Sequence, residues 1–415
     1  MNITEKLRGK KVLIWGYGRE GQSTERFLNN FCEDVQVEVF EGKRQDIQED
    51  KYDFIVKSPG IVMEEDHPKY TSQTELFLEQ FRDQTIGITG TKGKSTTSTL
   101  LYTVLSKCTD REVLLLGNIG QPCLDYYGQM KPDTIVVFEM SCHQLAHGSA
   151  SPHIGLFLNL FEEHLDYYGT VEKYFTAKSH VATYQKEGDF FLVGENVPEI
   201  QTKATTKVFA EQGLKEFDLS LLGQHNQYNA NFVYEVAVNL YGCDAQAVRE
   251  AMKEFHGLKH RLEFVGQVDG VSYYDDSIST IPEATISATQ SIPNTKTVLV
   301  GGMDRHINYD ILVEFIKNHV EYQFILMYES GKRIYDAVCE ASLEKVASKG
   351  SVTVGISKRL SHVHYVEDLV SAVKLAKEIT PKQGAVVLSP AAASYGYFKN
   401  FEERGDKFCE YVHQA

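Results

Sequence analysis

Thr85-Ile-Gly-Ile-Thr-Gly-Thr-Lys-Gly-Lys-Ser-Thr96 opens on an apolar run and breaks into a loop of glycine, lysine and hydroxyl residues. The run Thr85–Thr89 reads as a buried strand, and the stretch 97–107 beyond the loop reads as a helix. Strand, loop and helix in that order frame a phosphate-binding loop. Glycines at 90 and 93 allow a tight turn, so that backbone N–H groups and the helix N-terminus surround phosphate oxygens. On this frame Lys94 reaches the terminal phosphates and the Ser95 hydroxyl ligates Mg²⁺. The first glycine stands closer to Lys94 than the GxxxxGK[ST] spacing demands, so the loop is a variant. The plainer alternative is a glycine turn with a solvated lysine.

Upstream, Lys11-Val-Leu-Ile-Trp15 runs into Gly16-Tyr-Gly-Arg-Glu-Gly21, a helical stretch (22–30) and a second strand, Val37-Glu-Val-Phe40. A third, Phe54-Ile-Val56, ends at Ser58-Pro-Gly60. The GxGxxG spacing suits a dinucleotide-type site, and Glu41 follows the second strand where a ribose-binding acid sits. A plain strand-to-helix glycine turn fits equally. Two phosphate-binding units in one chain point to one nucleotide as energy source and another as a handle on the substrate.

Downstream, strands are expected at 113–116, 135–138 and 154–158. The polar stretch 199–216 weakens the pattern before a helix over 226–241. A third unit starts near Gly257, with a hairpin-like pair at 262–265 and 271–274 and strands at 298–300, 324–327 and 385–388. The alternation predicts three α/β domains. Residues 1–83 form a Rossmann-like domain, 84–257 a central P-loop ATPase-type domain with a parallel or mixed sheet, and 258–415 a second Rossmann-like domain. Length agrees, since 415 residues at about 150 per domain give two or three.

Forty-two Lys+Arg against 57 Asp+Glu leave a net charge of −15. That balance excludes bulk attraction to a nucleic acid polymer or an anionic membrane. The seven cysteines never fall at CxxC spacing, so they read as reduced thiols. The N-terminus has no apolar leader, and no run approaches the 18 or so apolar residues of a membrane span. A cytoplasmic enzyme is the expectation.

Glu139, at the end of an apolar strand in the same sheet as the phosphate loop, is placed to hold Mg²⁺. Glu162-Glu-His164 follows another strand, and Lys178 lies on a helix opened by Thr170. An acidic turn and a surface lysine are the ordinary readings of these two. In the third unit, His260-Arg261, Asp275-Asp-Ser277, Gly301-Gly-Met-Asp-Arg305 and Ser389-Pro-Ala-Ala-Ala-Ser394 stand at strand ends or loops. Each also fits turn chemistry.

Together these motifs resemble the Mur ligases, the cytoplasmic amide-bond-forming enzymes of peptidoglycan stem-peptide synthesis. The most specific pieces are Gly90-Thr-Lys-Gly-Lys-Ser-Thr96, Gly117-Asn-Ile-Gly120, Glu163-His164, Gly223-Gln-His-Asn226 with Asn229, and His260-Arg261. Leu388-Ser-Pro-Ala-Ala-Ala-Ser394 with Phe398-Lys-Asn-Phe-Glu-Glu-Arg-Gly405 is similar to the glutamate-adding branch.

The resemblance implies a UDP-holding N-terminal domain, a central ATPase, and a C-terminal domain that swings closed with the amino acid. Arg19, Glu20, Glu41, Ser58, Asn118, Ser141 and Gln144 would surround the UDP-sugar. Gly90, Thr91, Lys92, Gly93, Lys94, Ser95, Thr96, Asn229, Arg261 and Asp276 would hold ATP. Ser95, Glu139, His164 and a carbamylated Lys178 would hold two Mg²⁺ ions, with Lys94, His164 and Lys178 as the catalytic set. Thr280, Arg305, Ser394 and Phe401 would hold glutamate, the other substrate being UDP-N-acetylmuramoyl-L-alanine. A monomer is implied.

Two departures stand out. Ile278 occupies a position where the family usually carries lysine, and the polar stretch before Gly223 is shortened. The first leaves open a ligase adding L-glutamate. Folylpolyglutamate synthase is a second alternative, disfavoured by the Gly16–Gly21 domain. A non-catalytic nucleotide-binding protein is a third, disfavoured by the retained metal-ligand set.

Overall fold

The computed structural model describes residues 2–63, 67–163, 165–221, 223–341, 343–348, 351–356 and 360–414. They form two compact units, Met1–Ser220 with Gln224–Phe255, and Leu221–Gly223 with His256–Ala415.

The first unit holds two sheets. β1 (Lys11–Trp15), β2 (Gln36–Phe40), β3 (Phe54–Lys57) and β4 (Tyr70–Thr71) pair in parallel in the order β2-β1-β3-β4. The helix expected from residue 22 begins at Arg19, capped by Gly18. Its polar first turn carries no apolar periodicity, which hid the start.

β5 (Thr85–Thr89), β6 (Val113–Gly117), β7 (Ile135–Glu139), β8 (Ile154–Phe157), β9 (Phe190–Gly194) and β10 (Thr205–Phe209) form the second sheet. It is parallel throughout, in the order β10-β9-β8-β5-β7-β6. β5 is buried at every position, as a strand covered on both faces must be. After β7 the chain crosses to the other side of β5 to lay down β8. The carboxyl ends of β5, β7 and β8 therefore flank the reversal of strand order, where α/β sheets bind ligands.

The helix after the phosphate loop starts at Lys94 rather than 97, because Gly93 in the left-handed region caps it. The helix expected over 226–241 is α-helical from Gln224 to Tyr234 and winds wider over Glu235–Leu240, with Tyr241 N bonding Val236 O at 3.0 Å. The two sheets of this unit share one core. Phe27, Phe77 and Phe138 all belong to it, and Phe77 meets Phe138 edge-on at 5.8 Å. Each such side chain contributes about 1.5–3 kcal/mol by leaving water.

The second unit is built on β11 (Glu263–Val268), β12 (Val271–Asp275), β13 (Thr295–Val300), β14 (Gln323–Met327), β15 (Leu343–Ser348), β16 (Ser351–Ile356), β17 (Val363–Val366) and β18 (Ala385–Leu388). Its main sheet runs β11-β12-β18-β13-β14-β17, parallel except for β11, while β15 and β16 make a separate hairpin. Asp269 and Gly270, both at positive φ, close the β11–β12 hairpin. β18, last in sequence, inserts fully buried between β12 and β13. That insertion brings the turns after β12, β13 and β18 side by side.

Candidate active site

The loop after β5 is held open by its neighbours. Asn159, just past β8, accepts from Lys92 N through its side chain (2.9 Å) and from Thr91 N through its carbonyl (2.9 Å). It also donates to Lys92 O at 3.0 Å. Gly93 has φ +84°, and a Cβ there would stand 2.8 Å from Asn229 Oδ1, so no side chain fits between loop and helix. Lys94 folds back over the loop, donating to Gly90 O and Thr91 O at 2.9 Å each. Ser95 and Thr96 lie in the first turn of the helix that Gly93 caps.

Beside the loop stand two of the four residues expected near the metal. Glu139 is fully buried; its Oε1 accepts from Asn118 Nδ2 at 2.7 Å, and its Oε2 has no partner among the described residues. A buried carboxylate oxygen without a donor is costly unless a cation meets it. Lys178 is 1% exposed and donates to Gly90 O at 2.8 Å and weakly to Thr89 Oγ1 at 3.4 Å. Burial, reinforced by the neighbouring Lys94 charge, pulls its amine down to about 7. Glu163 pairs with Lys92 at 2.8 Å. His164 lies outside the described residues.

A cavity of about 210 Å³ opens within the same unit, lined by Arg19, Glu20, Pro59, Gly117, Asn118, Pro122, Ser141, His143 and Gln144. Five of the seven residues expected around the UDP-sugar meet here. Ser141 and Gln144 form a reciprocal cap on the short helix Cys142–Leu145, and Gln144 Nε2 reaches Glu20 Oε1 at 2.7 Å. Burial raises the Glu20 carboxyl above its ordinary value. Ser58 does not line the cavity; its hydroxyl donates to Gly16 O at 2.9 Å. Glu41 is exposed past β2 and does not line it.

In the second unit, Arg305 reaches Thr280 O at 3.4 Å. Met303 N bonds Ala393 O at 2.8 Å, which sets the Arg305 loop against the Ser394 loop. Phe401 begins the last helix, and its carbonyl accepts from Ser277 Oγ at 2.8 Å. Arg333 braces the Arg305 loop with a forked pair to Asp304 at 2.7 and 2.8 Å. Arg261 is half-buried beside His260, whose ring bonds Asp275 at 2.7 Å.

Asp276 is buried and accepts from Ser279, Ser389 and Leu262 N, yet burial outweighs these bonds and pushes its carboxyl up to about 6. A carboxyl raised in the folded state stabilises the fold fully below its unfolded value of 3.8 and loses that contribution as pH rises through 6. The gap corresponds to ~3 kcal/mol. Asp276→Asn is therefore expected to flatten the pH dependence of unfolding between those values. A series of denaturant midpoints across that window measures it, and a slope equal to wild type would contradict the assignment.

Residues 88–210 match the family model of the Mur ligase middle domain. A UDP-N-acetylmuramoylalanine--D-glutamate ligase of Aquifex aeolicus is 32% identical over 97% of this chain and 98% of its own length. The chain belongs to the Mur ligase family. A relative of the same name from Clostridioides difficile is 30% identical, over 98% of this chain and 99% of its own. The crystal structure of a UDP-N-acetylmuramate-alanine ligase from Thermotoga maritima shares the fold of this Mur ligase. The TM-score is 0.59 at 17% identity, covering 97% of this chain and 98% of the other.

Sequence reasoning missed Asn159, His143 and Lys57. An asparagine closing an apolar strand beside a phosphate loop was a usable signal for the first. Nothing local marked the other two: His143 lines a cavity wall assembled from distant segments, and Lys57 lies buried at the end of β3.

Proposed function

We infer that this Mur ligase uses ATP to join D-glutamate to UDP-N-acetylmuramoyl-L-alanine. The observation that carries this reading is the 32% identity across nearly the whole of a relative bearing that activity in its name. The substrate carboxylate attacks the γ-phosphorus of ATP; a P–O bond forms to the carboxylate and ADP leaves. The glutamate amine then attacks the acyl carbon, phosphate departs, and the nitrogen gives up a proton. Anions meet anions in the first step, so the protein's task is to neutralise and align.

We propose that residues 90–96 hold the phosphates, through the Lys94 side chain and the N–H groups at the start of the helix that Gly93 caps, with Asn229, Arg261 and Asp276 as further ATP contacts. Arg19, Glu20, Glu41, Ser58, Asn118, Ser141 and Gln144 take the UDP-sugar, and Thr280, Arg305, Ser394 and Phe401 take glutamate. The donor set fits Mg²⁺: the unpartnered Glu139 Oε2 and the Ser95 hydroxyl are hard oxygen ligands. Bound magnesium, proposed as two ions, supplies charge neutralisation at the phosphates. His164 is assigned from the resemblance of Glu163-His164 to the family's pattern. Lys178, held partly neutral, suits carbamylation: its nitrogen bonds CO₂ carbon and releases a proton, leaving a carboxylate-like ligand.

We further propose three functional parts, 1–83, 84–257 and 258–415, in a cytoplasmic monomer. No helix among the described residues is long and apolar enough to cross a membrane. Ile278, where the family carries lysine, favours a second reading in which L-glutamate is the amino acid. Phosphate release with ATP, UDP-N-acetylmuramoyl-L-alanine and each enantiomer separates the two. Turnover with D-glutamate is expected, and turnover with only the L form would overturn the first reading.

A further inference from the structure

Lys57 ends β3 with its side chain 4% exposed. A buried ammonium is retained only where acceptors compensate it, and Lys57 has two, Ser58 O at 3.2 Å and Ile61 O at 2.8 Å. Both belong to the Ser58-Pro-Gly-Ile61 turn. Tyr167 reaches the same turn from the other side, its hydroxyl 3.0 Å from Ile61 O and 3.5 Å from Pro59 O. One carbonyl thus receives a lysine and a tyrosine from segments more than 100 residues apart.

The turn matters because of what it touches. Ser58 N bonds Trp15 O at 2.9 Å, and Ser58 Oγ bonds Gly16 O at the mouth of the glycine loop. Gly16 has φ +92°, and a Cβ there would sit 2.8 Å from Ser58 Oγ, so loop and turn are in register only while the turn keeps its place. Pro59 lines the 210 Å³ cavity, as does His143, whose ring lies 4.3 Å from that of Tyr167.

We propose that Lys57 and Tyr167 are positioning residues for the UDP end of the substrate, locking the Ser58–Ile61 turn against the glycine loop through the shared Ile61 carbonyl. The proposal rests on the reading of the cavity as the UDP-sugar site. Neither residue touches the ligand; both act through the turn.

Trp15, the only tryptophan of the chain, reports on this directly, since its own carbonyl carries the turn. UDP is titrated into the full-length protein and followed by tryptophan fluorescence. Lys57→Met is expected to weaken UDP roughly tenfold and Tyr167→Phe about threefold, as for the loss of a charged and a neutral hydrogen bond. The double variant should be no weaker than about the Lys57→Met protein, because both donors act on one carbonyl. In turnover assays KM for the UDP-sugar should rise in step, with kcat and KM for ATP within about twofold of wild type; a merely structural lesion would move all three.

Equal UDP affinity in the variants, a matching rise in KM for ATP, or additive losses would each overturn the proposal. Tyr167→Phe keeps it testable if Lys57→Met does not fold. Wild-type protein that binds no UDP would refute the reading of the cavity itself, whereas wild-type binding with unaffected variants would sink only the role of Lys57 and Tyr167.

Discussion

Lys178→Ala is expected to lower turnover by roughly 10³-fold, the scale on which a preorganised charge at the reacting phosphate acts. Formate or acetate should restore a part of it. In the wild type the amine is buried beside Lys94, and burial together with that second cation brings it down to about 7. Near neutral pH much of it is therefore uncharged and nucleophilic towards CO₂. Carbamylation replaces a cation next to Lys94 with an anion, so the repulsion that depressed the amine becomes an attraction. Below the amine's own pKa it is an ammonium and cannot react. Activity should accordingly fall on the acid side of neutrality and recover with added bicarbonate in CO₂-depleted buffer. The measurement is kcat for the wild type and Lys178→Ala proteins with and without small carboxylic acids. Wild-type turnover in the variant would remove the role.

Sequence reasoning reached the frame of this site because its parts are local. Thr85-Ile-Gly-Ile-Thr89 carries no charged residue and is buried at every position, and a strand buried on both faces leaves that mark; the glycines of the following loop leave another. The hairpin closed by Asp269-Gly270 was visible for the same reason. β10 left no such mark: four of its five residues are exposed on a sheet edge, so it sits inside a stretch that reads as merely polar. β9, Phe190–Gly194, is an apolar run as plain as its neighbours. The site residues divide similarly. Lys94 and Gly93 announce themselves by spacing, whereas Lys178 alone reads as a surface lysine. Only the fold shows it buried against the carbonyl of Gly90.

The net charge of −15 sharpens the same point. Every proposed substrate is an anion, yet the protein as a whole repels anions. Recognition therefore has to be local, and the structure concentrates its means for it. Lys94 and Lys178 both hydrogen-bond Gly90 O. Since burial lowers both amines, each has been taken out of water at a cost that a surface lysine avoids. Structure alone gains nothing from burying two lysines side by side. A phosphate met by Lys94 and a metal ion met by a carbamylated Lys178 would give both a use.

Glu139→Gln is expected to leave the fold intact while removing roughly 10²–10³ from kcat. It should also raise the magnesium concentration needed for half-maximal rate. Glutamine keeps the shape and can still accept from Asn118 Nδ2, the bond now made to Oε1 at 2.7 Å. The backbone bond from Asn118 N to Glu139 O, 2.9 Å, does not depend on the side chain at all. Stability and UDP affinity should therefore stay close to wild type. What disappears is the negative charge at Oε2, the buried oxygen that no described residue satisfies. Lys94 loses by the same change, because the Glu139 charge works against the burial that lowers its amine. A weaker metal ligand and a less cationic phosphate lysine both reduce the neutralisation on which the first step depends. Magnesium titrations of turnover, run alongside thermal unfolding, separate these effects from misfolding. An unchanged kcat with an unchanged magnesium requirement would exclude Glu139 from the metal site.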